Sequence, residues 1–351
     1  MQQILAILKR LLRLLLPVLL ALASGAVLIL AAGANPFTTY ANLFSAGFSC
    51  APGPGRCDLV TSLTFATPLI FSGLAATVAL RGGFFSLGQL GQMVVGAAAA
   101  AWVGSRIPLP DGIHPAAALT AAAFFGGLWG LLPALLKEYV GVNEIISTLL
   151  LNPIAGVAVG IFPGGRLSAN ALLAPLVPST KLNAGFIVSL TCAALVFVVL
   201  WRTTRGLEIR TTAQAPSFAR YGGIRAHFPV LGAMLFSGAL AGVGGAVEVL
   251  GTQYRFVTSF STFTDFDGLI VAFVAHLHPL AVIAFAILLG GLRNGSIVGL
   301  QIQSHIPNEL GGAIIALILL FVATNRLAKP FAGVFSQRNV AASKPPAAPP
   351  A

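Results

Sequence analysis

Long apolar runs separated by short basic gaps set the limits on what this chain can fold into. A helix needs roughly 20 mainly apolar residues to cross about 30 Å of hydrocarbon. Lipid admits only backbones that satisfy their own hydrogen bonds, so helices are the default. The chain is 57% hydrophobic and 8% charged, with a mean hydropathy of +0.91. A soluble domain carries about 25% charged residues, so the exterior of this molecule must be lipid. The expected fold is an all-α polytopic membrane protein. Ten candidate transmembrane segments can be read, at 14–34, 61–80, 86–104, 115–136, 144–162, 184–201, 228–250, 266–276, 279–300 and 309–325. The eighth is too short for an ordinary span and reads as a half-helix or re-entrant segment, so the expected number runs from eight to ten.

Charge orients the spans. With the amino terminus placed inside, the gaps holding Lys9, Arg81, Lys137, Arg202 and Arg326 fall on one side. That side collects fourteen of the 20 basic residues. The other side collects Arg56, Arg106, Arg166, Lys181 and Arg255, and Arg293 stays within a span. Basic residues in short loops favour the cytoplasmic side, so both termini are expected there. Trp102 and Tyr254 then fall at outer ends, Tyr139 and Trp201 at inner ends, where amphipathic rings prefer to sit. The net charge of +11 therefore reports topology rather than a nucleic-acid partner.

Ala21-Leu22-Ala23 resembles a signal cleavage site, but the apolar stretch continues to Ala34, so the first run reads as a retained span. Asn35, Pro36, Phe37, Tyr40 and Phe44 predict a short amphipathic helix on the outer surface, with Asn35 as its cap. Residues 1–330 form the expected permeation domain, and 331–351 a disordered Pro/Ala-rich cytoplasmic tail with nothing to bury. Cys50 and Cys57 share the first outside loop and are either bonded or free, while Cys192 is a small apolar filler.

No Gly-Lys-Ser/Thr phosphate loop, zinc-spaced His/Cys set or Gly-x-Ser-x-Gly elbow occurs in the sequence. No ATPase site, enzyme activity, metal or cofactor is therefore expected of this chain itself. The intramembrane polar residues carry the functional hypotheses, because ionisable groups there cost roughly 2.5–3.5 kcal/mol each. Glu248 and Arg293 should reach the same outer half, which predicts a pair or a shared polar cavity. Asn143 and Glu144 open the fifth span, and Asp265 and Asp267 the eighth, as capping and dipole-favoured residues. Gln89 and Gln92 share one face of the third span, and Asn152 adds an amide in the fifth. Uncharged amides suit a neutral, hydrogen-bonding solute. Gly238 and Gly242, four apart, allow close helix approach.

The connection from Arg202 to His227 carries five arginines, and its middle predicts a helix from Pro216 to Tyr221 ended by Gly222. This stretch resembles the coupling region of bacterial ABC-importer permeases of the nucleoside and simple-sugar type, within the ribose and branched-chain amino acid permease superfamily. That family's pattern is roughly G-x-x-L-R-A-x-G-x-N-x-x-A-A-x-Y-x-G-I. Gly206, Arg210, Ala219, Tyr221, Gly223 and Ile224 match it, with Arg220 beside them, while Pro216 stands in place of its asparagine. In the same order along the chain, Gly83 to Met93 is similar to F-N-I-G-A-E-G-Q-M. Val142 to Asn152 is close to V-N-E-V-I-S-T-L-M-L-N, and Asp267 to Ala272 follows F-D-G-I-A-V-A. Departures are Leu90 for the family's acidic residue, Pro153 for a tyrosine, and His276-Leu277-His278-Pro279 for R-N-N-P.

The resemblance implies a permease subunit in the bacterial cytoplasmic membrane, translocating nucleosides or related simple sugars. It implies partners as well: separate ATPase subunits that bind ATP and magnesium, a second permease forming a heterodimer, and an extracytoplasmic substrate-binding protein. The expected pathway residues are Gln89, Gln92, Asn143 and Asn152. The expected ATPase-coupling residues are Gly206, Arg210, Ala219, Arg220, Tyr221, Gly223 and Ile224. An ion-coupled secondary transporter is the alternative, with Glu248 and Asp267 binding the ion.

Overall fold

The computed structural model describes residues 19–50, 57–160, 167–178, 180–225, 227–256, 264–304, 307 and 310–317. Helices dominate it. Among these residues the extended pairings are isolated bridges, Cys50 with Cys57 and Pro175 with Asn183. Five helical stretches are long and apolar enough to cross a membrane, and a bent pair raises the number to six. The fold is therefore that of a polytopic α-helical membrane protein. The proposed tail at 331–351 lies outside the described residues, as does most of the tenth candidate span.

Contacts divide the chain into a large unit, Leu43–Gly299, and a smaller one comprising the residues up to Asn42 and from Leu300 onward. Helix α1 (Leu19–Ala31) is followed by α2 (Pro36–Phe48) at a 113° bend, and the boundary between the units falls within α2. Asn35 caps α2 as expected, its Oδ1 accepting from the Phe37 N–H at 3.0 Å. The Tyr40 hydroxyl donates to the Leu22 carbonyl at 2.7 Å.

The large unit holds ten further helices. These are α3 (Asp58–Arg81), α4 (Gln89–Arg106), α5 (Ile113–Leu135), α6 (Glu144–Gly160), α7 (Gly185–Arg202), α8 (Thr204–Gln214), α9 (Pro216–Tyr221), α10 (His227–Glu248), α11 (Thr264–Val274) and α12 (Pro279–Gly295). Helix α10 is the hub, packed on α3, α4 and α5, while α11 and α12 pack on α3 and α6 packs on α4. Helices α5, α10 and α12 each run on into a π-helical turn, Leu136–Val140, Val249–Gln253 and Ser296–Gln303.

Small residues make the hub. A methyl group on Gly96 of α4 would strike the backbone of Gly242, and one on Gly242 would strike the Ala122 carbonyl of α5. Gly126 and Gly238 face each other in the same way. Lipid gives no hydrophobic drive for helix association, so such close backbone packing is what holds these helices together.

One candidate span starts later in the structure than its apolar run suggested, and another is as short as expected. Helix α4 begins only at Gln89, because α3 ends in a left-handed turn at Gly83 (φ +76°) with the Phe84 N–H bonded to the Ala79 carbonyl. Residues Phe84 to Gly88 then run in irregular backbone, with Phe84 fully buried. Helix α11 has 11 residues, too few to span, in line with the half-helix expectation. Cys50 and Cys57 are disulfide-bonded, with Cα atoms 4.1 Å apart, and Cys192 is free.

Candidate translocation site and coupling arm

Irregular backbone at membrane depth must be buried in protein and supplied with partners. Helix α6 supplies them to the α3–α4 loop. The Asn152 Nδ2 donates to the Leu87 carbonyl at 2.8 Å, and its Oδ1 accepts from the Gly91 N–H at 2.9 Å. The Thr148 hydroxyl accepts from the Leu87 N–H at 3.2 Å. Thr148 and Asn152 are four and eight residues into α6, so α4 starts about 6–12 Å along that helix from its Glu144 end. The chain thus presents a discontinuous segment inside the bundle, the arrangement transporters use to bring polar groups to a midplane site.

Amide groups gather at that break. Gln89 and Gln92 are 0% and 1% exposed. The Gln89 Nε2 donates to the Ser86 carbonyl at 3.1 Å. Its Oε1, the Gln92 Oε1 and the Trp129 Nε1 are buried without a hydrogen-bond partner among the described residues. Each orphaned group costs about 1–3 kcal/mol, which a bound polar solute would recover. The Gln92 side chain lies beside Gly130 and Gly88, and the Trp129 indole beside Gly91, so α4, α5 and α6 all border the cluster. Asn143 does not join it. That residue is exposed and caps α6, its Oδ1 accepting from the Ile145 N–H at 2.9 Å.

The charged residues sort differently from expectation. Arg293 pairs not with Glu248 but with Asp267, Nη2 to Oδ2 at 2.9 Å. Helix α11 packs against α12 and brings Asp267 to the guanidinium. Glu248 instead accepts from the Gln253 side chain at 3.1 Å, across the turn into the π-helical segment. Glu144 binds the Lys137 ammonium at 2.9 Å, which also stands 4.9 Å over the Phe84 ring. The Asp265 side chain lies outside the described residues. No group of three or more His, Cys, Asp or Glu that could hold a metal ion occurs among the described residues.

The segment between α7 and α10 forms an arm of two helices, and α9 spans Pro216–Tyr221 as the sequence predicts. Thr203 caps α8 by accepting from the Gly206 N–H. A side chain on Gly206 would strike the Val199 and Leu200 carbonyls, so this glycine presses α8 onto the end of α7. Ala219 is buried, and its carbonyl accepts the Ile224 N–H at 2.9 Å while Gly223 takes φ +79°, closing α9. Arg210 lies over the Trp201 ring at 5.5 Å. Tyr221 is 93% exposed, with Phe218 and Arg220 also exposed. Five of the motif residues are therefore accounted for by folding the arm. Tyr221 is not, and it points outward at the tip.

A family described as "Branched-chain amino acid transport system / permease component" matches residues 59–323, from the start of α3 past the last described helix. This chain belongs to that family. The permease is 34% identical over 336 residues to the guanosine ABC transporter permease protein NupP of Bacillus subtilis, covering 90% of this chain and 95% of that one. It is 32% identical over 342 residues to the glucose ABC transporter permease protein TsgB13 of Haloferax volcanii, covering 90% and 87%. It is 29% identical over 322 residues to the nucleoside ABC transporter permease protein NupB of Lactococcus lactis, covering 85% and 86%. No solved structure matches it.

Several residues that shape the permease's sites gave little signal alone. Trp129 sits in an apolar run, Gly-Gly-Leu-Trp-Gly, where an indole reads as lipid-facing or packing. Ser86 and Thr148 do not stand out within the stretches that resemble the family's motifs. Their roles emerge only because the α3–α4 loop enters the bundle, which periodicity within either helix does not encode.

Proposed function

We propose that this chain is one of two permease subunits forming the translocation pathway of an ATP-driven importer of nucleosides or related sugars in the bacterial cytoplasmic membrane. Its relatives over nearly their full length carry the names of guanosine, nucleoside and glucose ABC permeases. The observation that carries the coupled mechanism is the arm. It is folded by its own motif residues, yet it leaves Phe218, Arg220 and Tyr221 exposed on a short helix beyond the spans. An aromatic and cationic tip of this kind fits a docking cleft on a soluble ATPase. Bacillus subtilis and Lactococcus lactis each hold a second permease of the same named substrate that is less similar to this chain, 24% and 25% identical. That asymmetry supports a heterodimer in which this chain takes one fixed half. An extracytoplasmic binding protein delivers the solute, and eight to ten spans with both termini inside complete the topology.

Gln89, Gln92, Asn152 and Trp129 line the proposed path. Their donors and acceptors are neutral, as a ribose hydroxyl or a nucleobase edge requires. The Asp267–Arg293 pair, in turn, weighs against the ion-coupled alternative, because Asp267 is already neutralised by an arginine. The reading is tested by nucleoside uptake into inverted-free membrane vesicles or cells holding the full complex. Uptake should persist with a proton uncoupler while ATP is maintained, and Tyr221→Ala with Arg220→Glu should abolish ATPase co-purification. Uptake by this chain reconstituted alone on an ion gradient would overturn it.

A further inference from the structure

Trp201 lies at the last turn of α7, and four side chains from four segments converge on it. The Arg81 guanidinium, at the end of α3, stands 5.2 Å from the ring centroid, and Arg210 of α8 stands 5.5 Å away. Phe197 stacks on the ring at 5.7 Å, and the His278 ring lies 5.4 Å away. Arg81 also donates to the His276 and Leu277 carbonyls, each at 3.2 Å. His276 and Leu277 both hold φ +55°, a left-handed conformation that non-glycine side chains adopt at a cost. The α11–α12 turn is thus kept in an unfavoured backbone shape by an arginine that the indole holds in place.

Two guanidiniums sharing one indole repel each other. On the arm, Glu208 pairs with Arg205, and no carboxylate is bonded to Arg81 or Arg210 among the described residues. The ring's negative face offsets the repulsion only while both cations stay over it. Moving α8 away removes the repulsion and leaves Arg81 alone over the ring, so the position of the arm sets how Arg81 holds the strained turn. That is a two-state element, biased from the arm on one side and from α3, α11 and α12 on the other.

We propose that Trp201 is the positioning residue that transmits motion of the α8–α9 arm to α3 and to the α11–α12 turn. It does so by holding Arg81 and Arg210 on one aromatic ring. Arm movement breaks the shared contact, resettles Arg81 on the ring together with its bonds to His276 and Leu277, and so shifts α11 and α12 against α3. Trp201 acts through Arg81 and Arg210 rather than by chemistry of its own. The inference rests on the reading that the arm docks on an ATPase, and that reading is checked first, by ATPase co-purification with the unaltered chain.

The test uses the complete transporter in proteoliposomes with its binding protein, comparing ATP hydrolysed per solute imported. Trp201→Leu keeps bulk without a π face, and Trp201→Phe keeps a π face. Trp201→Leu should leave the complex assembled and its basal ATPase near that of the unaltered protein, while raising the ATP-to-solute ratio by about fivefold or more. Trp201→Phe should stay within about twofold of the unaltered ratio. A structural role alone would lower assembly and both rates together without changing their ratio. The proposal is overturned if Trp201→Leu couples normally, if Leu and Phe uncouple equally, or if the Leu variant fails only in assembly.

Discussion

The Arg293 guanidinium meets the Asp267 carboxylate at 2.9 Å, with both side chains under one-fifth exposed. Helices α11 and α12 are consecutive, and this pair ties the first turn of one to the last turn of the other. Exchanging the two charges (Asp267→Arg with Arg293→Asp) should restore membrane levels and heat stability lost in either single reversal. Reversing one partner of a buried pair costs about 3–5 kcal/mol. Swapping Glu248 and Arg293 should rescue nothing. Fluorescence-detected chromatography of detergent extracts after a temperature series reads both comparisons.

Gly242 approaches α5 so closely that a methyl group meets the Ala122 carbonyl, whereas one on Gly232 of the same helix meets nothing within 4 Å. Gly242→Ala should therefore destabilise the bundle by about 1–3 kcal/mol through overpacking. Gly232→Ala should be neutral or stabilising by up to about 1 kcal/mol. Apparent Tm values for the two variants separate these outcomes.

Removing the buried partners of the α3–α4 loop should loosen that loop first. Asn152→Leu leaves the Leu87 carbonyl and the Gly91 N–H without their side-chain partner, at about 1–3 kcal/mol for each orphaned group. Amide hydrogen exchange across residues 84–91 should quicken selectively, while exchange in α10 stays near its original rate. Uniform acceleration everywhere would show global unfolding rather than release of the loop.

Gln92→Leu discards an acceptor that lacks a partner among the described residues. Stability should hold or rise, because no bond is lost and a buried polar group disappears. Solute uptake by the complete complex should fall by about tenfold if one hydrogen bond to the solute is worth roughly 1.4 kcal/mol. Unchanged uptake with unchanged assembly would remove Gln92 from the path.

How much of this was legible beforehand depends on what each residue does locally. Helix α9 was readable to the residue, because Pro216, Tyr221 and Gly222 encode a start, a tip and a stop. Asn143 and Asn35 were readable as caps, since a cap acts only on the two or three residues after it. The partner of Arg293 was not. Counting along a span gives depth, but a helix apolar all round carries no phase, so Asp267 and Glu248 looked equally available. The break before α4 was hidden for a similar reason, because Phe84 and Leu87 keep the run apolar while Gly83 turns it. Trp201 read as an interfacial anchor, and only the meeting of α3, α7, α8 and the α11–α12 turn shows its four neighbours.

Gly206 leaves no room between the arm and the last turn of α7, and this has a mechanical corollary. With no slack at that corner, the arm cannot fold any closer against α7 and can only swing away from it, like a door already resting on its stop. A side chain added at residue 206 would act as a wedge in that jamb, holding the arm ajar whatever happens at its far end.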